Sequence, residues 1–259
     1  MSTPAATTDP NARYRAPALD KGLDILELLS AQPHGLTRAE IVKLMGRSPS
    51  EIYRMLERLV QRHYVTRSPE GDRYALSLKL FMLAHRHPPL DRLVARALPA
   101  MDAFAKAAEQ SCHLGVYERG NITIVAQVGG PGSWGLSIRL GSRVGLVGTG
   151  SGHVLLAFQS DERRAEMLAS HEAADGEAPL VPRELNKTLA RIRKLGHWRG
   201  DSQQAFGVVD ISMPVIGPEG HALAVLTCPF VRRIDRHAGP DADATCAQLQ
   251  RAAQGLSIG

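Results

Sequence analysis

Three cysteines in 259 residues, Cys112, Cys228 and Cys246, are too scattered and odd in number to build a disulfide framework or a zinc site. Reduced, buried thiols in a cytoplasmic protein are the expectation. No apolar run approaches the roughly 18 residues that would cross a bilayer. The opening Met-Ser-Thr-Pro-Ala-Ala-Thr-Thr-Asp-Pro lacks the basic and apolar regions of a signal peptide, and residues 1–16 read as a disordered arm. One stretch is rich in glycine, yet it has neither the Gly-Lys-Ser/Thr ending of a nucleotide P-loop nor a dinucleotide fingerprint. Neither a cofactor nor a metal is expected.

What is present is arginine, unevenly placed. Residues 1–90 hold 13 Lys and Arg against 9 Asp and Glu, a net of +4, whereas the remaining 169 hold 18 against 17, a net of +1. Arg47, Arg54, Arg58, Arg62 and Arg67 fall within 21 residues. A local positive surface attracts a phosphate backbone, and guanidinium forks add bidentate contacts that lysine cannot make.

That region reads as a DNA-binding unit over 17–76. Ser48-Pro-Ser-Glu51 predicts a capped helix start with a capping box. Ile52, Met55, Leu56, Leu59 and Val60 follow on one helical stripe. Ser50, Tyr53, Arg54, Glu57, Arg58 and Gln61 occupy the other face, with chemistry suited to phosphates and base edges. An ordinary solvated helix face would look the same in isolation. Its neighbour decides: Thr37-Arg-Ala-Glu40 is a second capping box, leading through Ile41, Val42, Leu44 and Met45 to the helix-ending Gly46. Two short capped helices around a glycine make a helix-turn-helix. Leu19, Leu23, Leu26 and Leu29, widened by Ile25 and Leu28, predict a third helix ending at Pro33-His-Gly35. Tyr64–Arg67 and Arg73–Leu76 flank a Pro-Glu-Gly-Asp turn and predict a hairpin wing. Arg38, Arg47, Ser48, Ser50, Tyr53, Arg54, Arg58, Arg67 and Arg73 are the candidate DNA-contacting residues.

Residues 77–89 read as a linker helix broken at His87-Pro-Pro89. Residues 90–259 then read as an α+β domain. Its long helix runs from Leu90 to Ala108, with Pro99 inside it. Strands are expected at Cys112–Glu118, Ile122–Val128, Trp134–Leu140, Val208–Ile216 and Ala222–Phe230. Helices are expected near Gly150–Phe158, Asp161–Ser170 and Pro182–Leu195, with a last one after Pro240. Two features there look like a pocket. Gly141–His153 holds five glycines in thirteen residues and runs into the apolar Val154–Phe158. It could offer N–H groups to a small carboxylate, or its glycines could serve turns and close packing. Asp210 and Ser212 share one face of an otherwise apolar strand, and the carboxylate needs a partner: a ligand, Arg139 or a backbone N–H.

Taken together, Leu19–Leu29, Gly46–Val65 with Ser50, Arg54 and Leu56, Arg73–Leu76, Thr149–Ala157, and Gly207-Val through Pro214-Val resemble the IclR family of bacterial transcription regulators. The resemblance covers nearly the whole chain, from about Leu19 to Leu256. It implies an N-terminal winged helix, a linker helix and a GAF-like effector domain, assembled as homodimers or homotetramers on an operator in double-stranded DNA. It places Ser50, Tyr53 and Arg54 on the reading helix. It places Thr149, Gly150 and Ser151 on a loop whose backbone meets the effector, with Asp201, Asp210 and Cys228 around the ligand; Gly148 from the glycine-rich loop, Ser212 from the strand pattern and Trp134 complete the candidate effector-binding residues. Asp210 stands where many members have cysteine, Cys228 where many have serine, and Phe206 where an acidic residue is common. With Trp134 and Trp198, these departures point to a larger, aromatic organic acid. The expected function is a ligand-responsive regulator without catalysis. The alternative is an enzyme with an accessory winged helix, drawing on Cys112, His113, His153, Asp210 and Cys228.

Overall fold

The computed structural model describes residues 16–84, 86, 88–133, 135–173, 177, 181–232 and 238–257. They fall into two compact units, Met1–Pro88 and Pro89–Gly259. The N-terminal arm lies outside the described residues, apart from Ala16.

In the first unit, α1 (Pro17–Ser30) leads to β1 (Leu36–Thr37), α2 (Arg38–Met45) and α3 (Pro49–Gln61). Strands β2 (Val65–Arg67) and β3 (Arg73–Leu76) form the wing, and α4 (Lys79–Ala84) ends the unit. β1 was not expected; it pairs with β3 and makes the wing a three-stranded sheet in the order β1-β3-β2. Ile25, Leu29, Ile41, Ile52, Leu56, Val65 and Tyr74 close the core. The α1 stripe is turned from the expected one, because Ile25 and Leu29 carry its burial while Leu19 and Leu23 stay 61% and 48% exposed. The expected linker helix shortens to α4, and the next helix starts at Pro88, where its missing N–H costs nothing. His87 lies outside the described residues.

The second unit opens with α5 (Pro88–Ala108), which keeps Pro99 inside it. Then come β4 (Cys112–Glu118), β5 (Asn121–Val128) and β6 (Arg143–Val144). Helices α6 (Gly150–Ala157), α7 (Asp161–Ala169) and α8 (Pro182–Leu195) follow. Strands β7 (Trp198–Asp201), β8 (Val208–Ile216) and β9 (Ala222–Val231) lead to α9 (Ala242–Leu256). The antiparallel sheet runs β6-β5-β4-β9-β8-β7. Arg119 and Gly120, both at positive φ, turn β4 into β5.

The long strands β4, β5, β8 and β9 face two apolar layers. Leu114, Ile211, Met213, Leu226 and Cys228 pack with α5 and α9, while Ile122, Ile124 and Val225 pack with α6 and α8 on the other side. The chain is thus α+β, with a GAF-like second domain. One expected strand is absent: residues 135–140 are not extended into the sheet. The edge of β5 is taken instead by the following residues, as Gly141 N–H donates to Ile124 O and Ile124 N–H to Ser142 O, at 2.8 and 3.0 Å. Leu136 and Leu140 consequently face solvent.

Candidate functional site

Two faces gather the candidate residues, one in each unit. On the first, α2 begins with a complete capping box: Thr37 N–H donates to Glu40 Oε2 (2.8 Å) and Glu40 N–H to Thr37 Oγ1 (3.3 Å). Gly46 ends α2 in the left-handed region. Pro49 then starts α3, and Ile52 and Leu56 seal its inner side. The capping box expected at Ser48 is only half made. Its hydroxyl donates to Glu51 Oε2 (2.9 Å) instead of accepting from the helix, because Glu51 is held in place by Lys21. The hydrogen bonds from Lys21 and Ser48 hold the Glu51 carboxyl down to about 2.

Ser50, Tyr53, Arg54, Arg58 and Gln61 all lie on the exposed side of α3. Arg38 stacks over Tyr53 at 5.4 Å, and Arg58 donates to Gln61 Oε1 at 3.3 Å. The side chains of Arg47 and Arg54 make no hydrogen bond or ion pair among the described residues and stand open to a partner. The wing arginines are more engaged. Arg67 Nε donates to Gly71 O (2.6 Å) and its guanidinium lies over Tyr74. Arg73 donates to Gly35 O (3.1 Å) and lies 3.8 Å from Glu40, tying the wing to α2. An open cleft is lined by Thr37, Arg38, Pro49, Arg67, Asp72 and Tyr74. It lies between the starts of α2 and α3 and the wing.

In the second unit the glycine-rich loop enters α6. Thr149 caps the helix, accepting from Gly152 N–H at 3.1 Å while donating to Gly145 O at 2.7 Å. The helix is buried along its whole length. Ser151 Oγ lies 2.8 Å from Thr227 Oγ1, which donates to Ser212 Oγ at 2.9 Å, a chain of three buried hydroxyls joining α6 to β9 and β8. Trp198 stands opposite Ser212 in the sheet and covers the start of α6; a Cβ at Gly150 would come within 2.2 Å of its indole. His153 meets the same ring edge-on at 5.4 Å, and Arg191 lies over it at 5.1 Å. His153 Nδ1 and Trp198 Nε1 are buried with no hydrogen bond.

The loop already holds a carboxylate. Glu177 Oε1 accepts from Val147 N–H at 3.1 Å and from Gly148 N–H at 2.6 Å, while Oε2 lies 3.2 Å from His171 Nε2. A Cβ at Gly145 or Gly148 would stand 2.4 or 2.8 Å from this side chain. The glycines thus admit a close neighbour, and the amides of Val147 and Gly148 meet the chain's own carboxylate.

Asp210 and Ser212 share the α6 side of β8, as their alternation requires. Burial pushes the Asp210 carboxyl up, and the neighbouring Ser202 hydroxyl opposes the shift. Two other candidates point elsewhere. Cys228 packs with Ile211 and Phe230 on the α5 and α9 side, one residue out of register with Thr227. Asp201 pairs with Val209 and so falls on the face opposite Asp210. Phe206 is fully exposed on the turn before β8, so it forms no pocket wall. Trp134 lies outside the described residues. Thr227 was missed, although it interrupts the apolar run of β9 on the same face as Ser212. Glu177 carries no local signal at all. Burial pushes the Cys112 thiol up to about 12 and Cys228 well above its ordinary value, so neither is held as a thiolate. The described residues contain no cluster of metal-ligating side chains and no helix long and apolar enough to cross a membrane.

Residues 18–69 match the IclR helix-turn-helix domain, and residues 90–258 match the C-terminal domain of the bacterial transcriptional regulator IclR. Among curated relatives, the HTH-type transcriptional regulator XynR of Escherichia coli is 26% identical over 247 residues, 93% of this chain and 95% of that protein. The regulator KdgR of the same organism is 27% identical over 213 residues, 81% of this chain and 80% of its own. Among solved structures, an IclR homolog from Microbacterium hydrocarbonoxydans complexed with 4-hydroxybenzoate superimposes with a TM-score of 0.75 at 22% identity, covering 93% of this chain and 97% of that one. The Thermotoga maritima IclR gives 0.73 at 23%, covering 92% and 96%.

Proposed function

The chain belongs to the IclR family of bacterial transcriptional regulators, and from that premise we propose a ligand-responsive regulator that couples a small organic acid to operator binding through paired winged helices. Residues 17–76 read DNA, 77–89 link, and 90–259 sense the ligand. The observation that carries this reading is α3. Its inner side is sealed by Ile52 and Leu56, while Arg54 points outward without a partner beside Ser50 and Tyr53. A guanidinium left free beside hydroxyls suits the bidentate and phosphate contacts of a major groove. Pairing is supported by the apolar surface of the first unit, where Leu19 and Leu23 on α1 and Met82 on α4 are exposed. A homodimer, or a homotetramer built from it, would cover such a surface and set the half-site spacing.

The glycine loop, Asp210 and the hydroxyls of Ser151, Thr227 and Ser212 support the sensing role. The neighbour complexed with 4-hydroxybenzoate supports an aromatic acid as its ligand. Control would follow from linkage: an acid that binds one arrangement of the effector domains better shifts the paired readers toward it. The protein would work in the cytoplasm, where its DNA is, and no catalytic role is assigned to it.

The test is selection of DNA from a randomised pool by the full-length protein, followed by thermal-shift screening of organic acids. Enrichment of a palindromic or repeated sequence, released or tightened by an acid that stabilises the protein, is the expected result. No sequence enrichment at any salt concentration would remove the regulator reading.

A further inference from the structure

The Val147 and Gly148 amides form an anion seat facing a buried carboxylate, and that carboxylate belongs to the chain itself. The Glu177 side chain is 4% exposed and spends one oxygen on both amides and the other beside His171. Gly145 and Gly148 lack the Cβ atoms that would fill the place it occupies. Around the adjoining start of α6, His153 Nδ1 and Trp198 Nε1 remain buried without a hydrogen bond. Such atoms are expensive to leave unpaired, and polar atoms on a ligand could satisfy them. Two amides and a histidine gathered around a carboxylate, with that carboxylate supplied by a side chain, are organised for a group that can replace that side chain.

We infer that the Val147–Gly148 seat is a carboxylate-binding site that the chain closes with its own Glu177, so that a free organic acid must displace Glu177 to enter. The inference rests on the reading of this domain as a sensor of organic acids and names the atoms its ligand would take over. Glu177 is then a tethered competitor. A tethered group acts at a high effective concentration, and apparent ligand affinity falls by the fraction of time the seat is closed. A seat closed nine-tenths of the time weakens binding about tenfold. The competitor thereby sets the concentration range over which an acid is sensed, and rejects compounds that lack a carboxylate.

The experiment is chemical rescue by acetate, the free counterpart of the Glu177 side chain. Full-length Glu177→Ala is titrated with acetate, with acetamide, and with chloride at matched ionic strength, while melting temperature and heat of binding are followed. Acetate is expected to bind and stabilise Glu177→Ala, with acetamide and chloride inert, and with wild type binding acetate at least about tenfold more weakly. Adding Gly145→Ala to Glu177→Ala fills the seat and is expected to abolish the rescue. If acetate stabilises Glu177→Ala no more than chloride does, or if Gly145→Ala leaves the rescue intact, the proposal is overturned. Should Glu177→Ala fail to fold, Glu177→Gln keeps the shape with a weaker, neutral acceptor. Acetate must then stabilise it beyond wild type, and a flat response overturns the proposal equally. DNA affinity is measured in the same samples. Acetate seated in Glu177→Ala without any change in operator binding upholds the seat and removes the sensor reading instead. Operator release by an organic acid in wild type, with no acetate rescue, removes the seat and leaves that reading standing.

Discussion

On α3, Arg54 faces solvent with no partner, whereas on α6 the hydroxyl of Ser151 reaches Thr227 and through it Ser212 inside a closed core. Water satisfies an exposed guanidinium at no cost, so a surface that meets its partner from outside can wait unpaired. A buried hydroxyl or carboxylate has no such refuge and costs about 1–3 kcal/mol if left alone. The second unit therefore arranges its polar groups against one another, and even supplies Glu177 to its own amides. Substitutions in the two halves should consequently separate. Those on the exposed face of α3 change binding with little effect on stability, and those in the buried polar layer beside α6 change stability before anything else.

The largest expected effect lies in the second unit and is read by pH. His113 on β4 stands opposite Thr227, buried, with Nδ1 unpaired, and burial pushes its pKa from the ordinary 6.5 down to about 4. Its folded-state pKa is below the unfolded one, so the unfolded chain takes up a proton first as the pH falls. Its contribution is full above pH 6.5, declines toward pH 4 and is lost below it, about 3 kcal/mol in all. The difference between wild type and His113→Gln in urea-melt stability should therefore depend on pH across this window. A constant difference would mean that His113 is not held neutral.

Next comes a matched pair. Thr227→Val keeps the shape but strands Ser151 and Ser212, and should lower unfolding stability by about 1–3 kcal/mol. Arg54→Ala should leave stability within about 0.5 kcal/mol. It should nevertheless weaken operator binding by about tenfold to a hundredfold, the range of one lost bidentate base contact. Equal stability losses in the two variants would break the contrast between the halves.

How far the sequence reveals this depends on the range of each contact. The bounds of β8 and α8 were legible because alternation, helical period and caps are local. β7 was not, since Trp198-Arg-Gly-Asp201 has too little apolar alternation and owes its strand form to pairing with β8. The segment 135–140 alternates well but loses the strand edge to the residues after it. Alternation places Asp210 and Ser212 on one face, as in the structure, but the expected Cys228 packs on the other face and its neighbour Thr227 meets Ser212. A slip of one residue exchanges the two faces of a strand, and family resemblance alone did not fix the register. Glu177 was invisible, because its contacts lie 29 and 30 residues away and no spacing rule links them.

The smallest effect contrasts two caps within the reader. Thr37 and Ser48 occupy the same position before adjacent helices and look alike in sequence. Only Thr37 accepts a hydrogen bond from its helix; Ser48 gives its hydroxyl to Glu51. Thr37→Ala should therefore cost about 1 kcal/mol of stability. Ser48→Ala breaks an exposed contact with a carboxylate that Lys21 still holds, and should cost less than about 0.5 kcal/mol. DNA affinity measured beside the melts completes the separation. If Ser48 contacts the operator, its variant weakens binding while the fold stays intact, as the reader face requires. A Ser48→Ala loss of stability as large as that of Thr37→Ala would show instead that the hydroxyl caps α3 in solution, and Ser48 would leave the set of residues free to meet DNA.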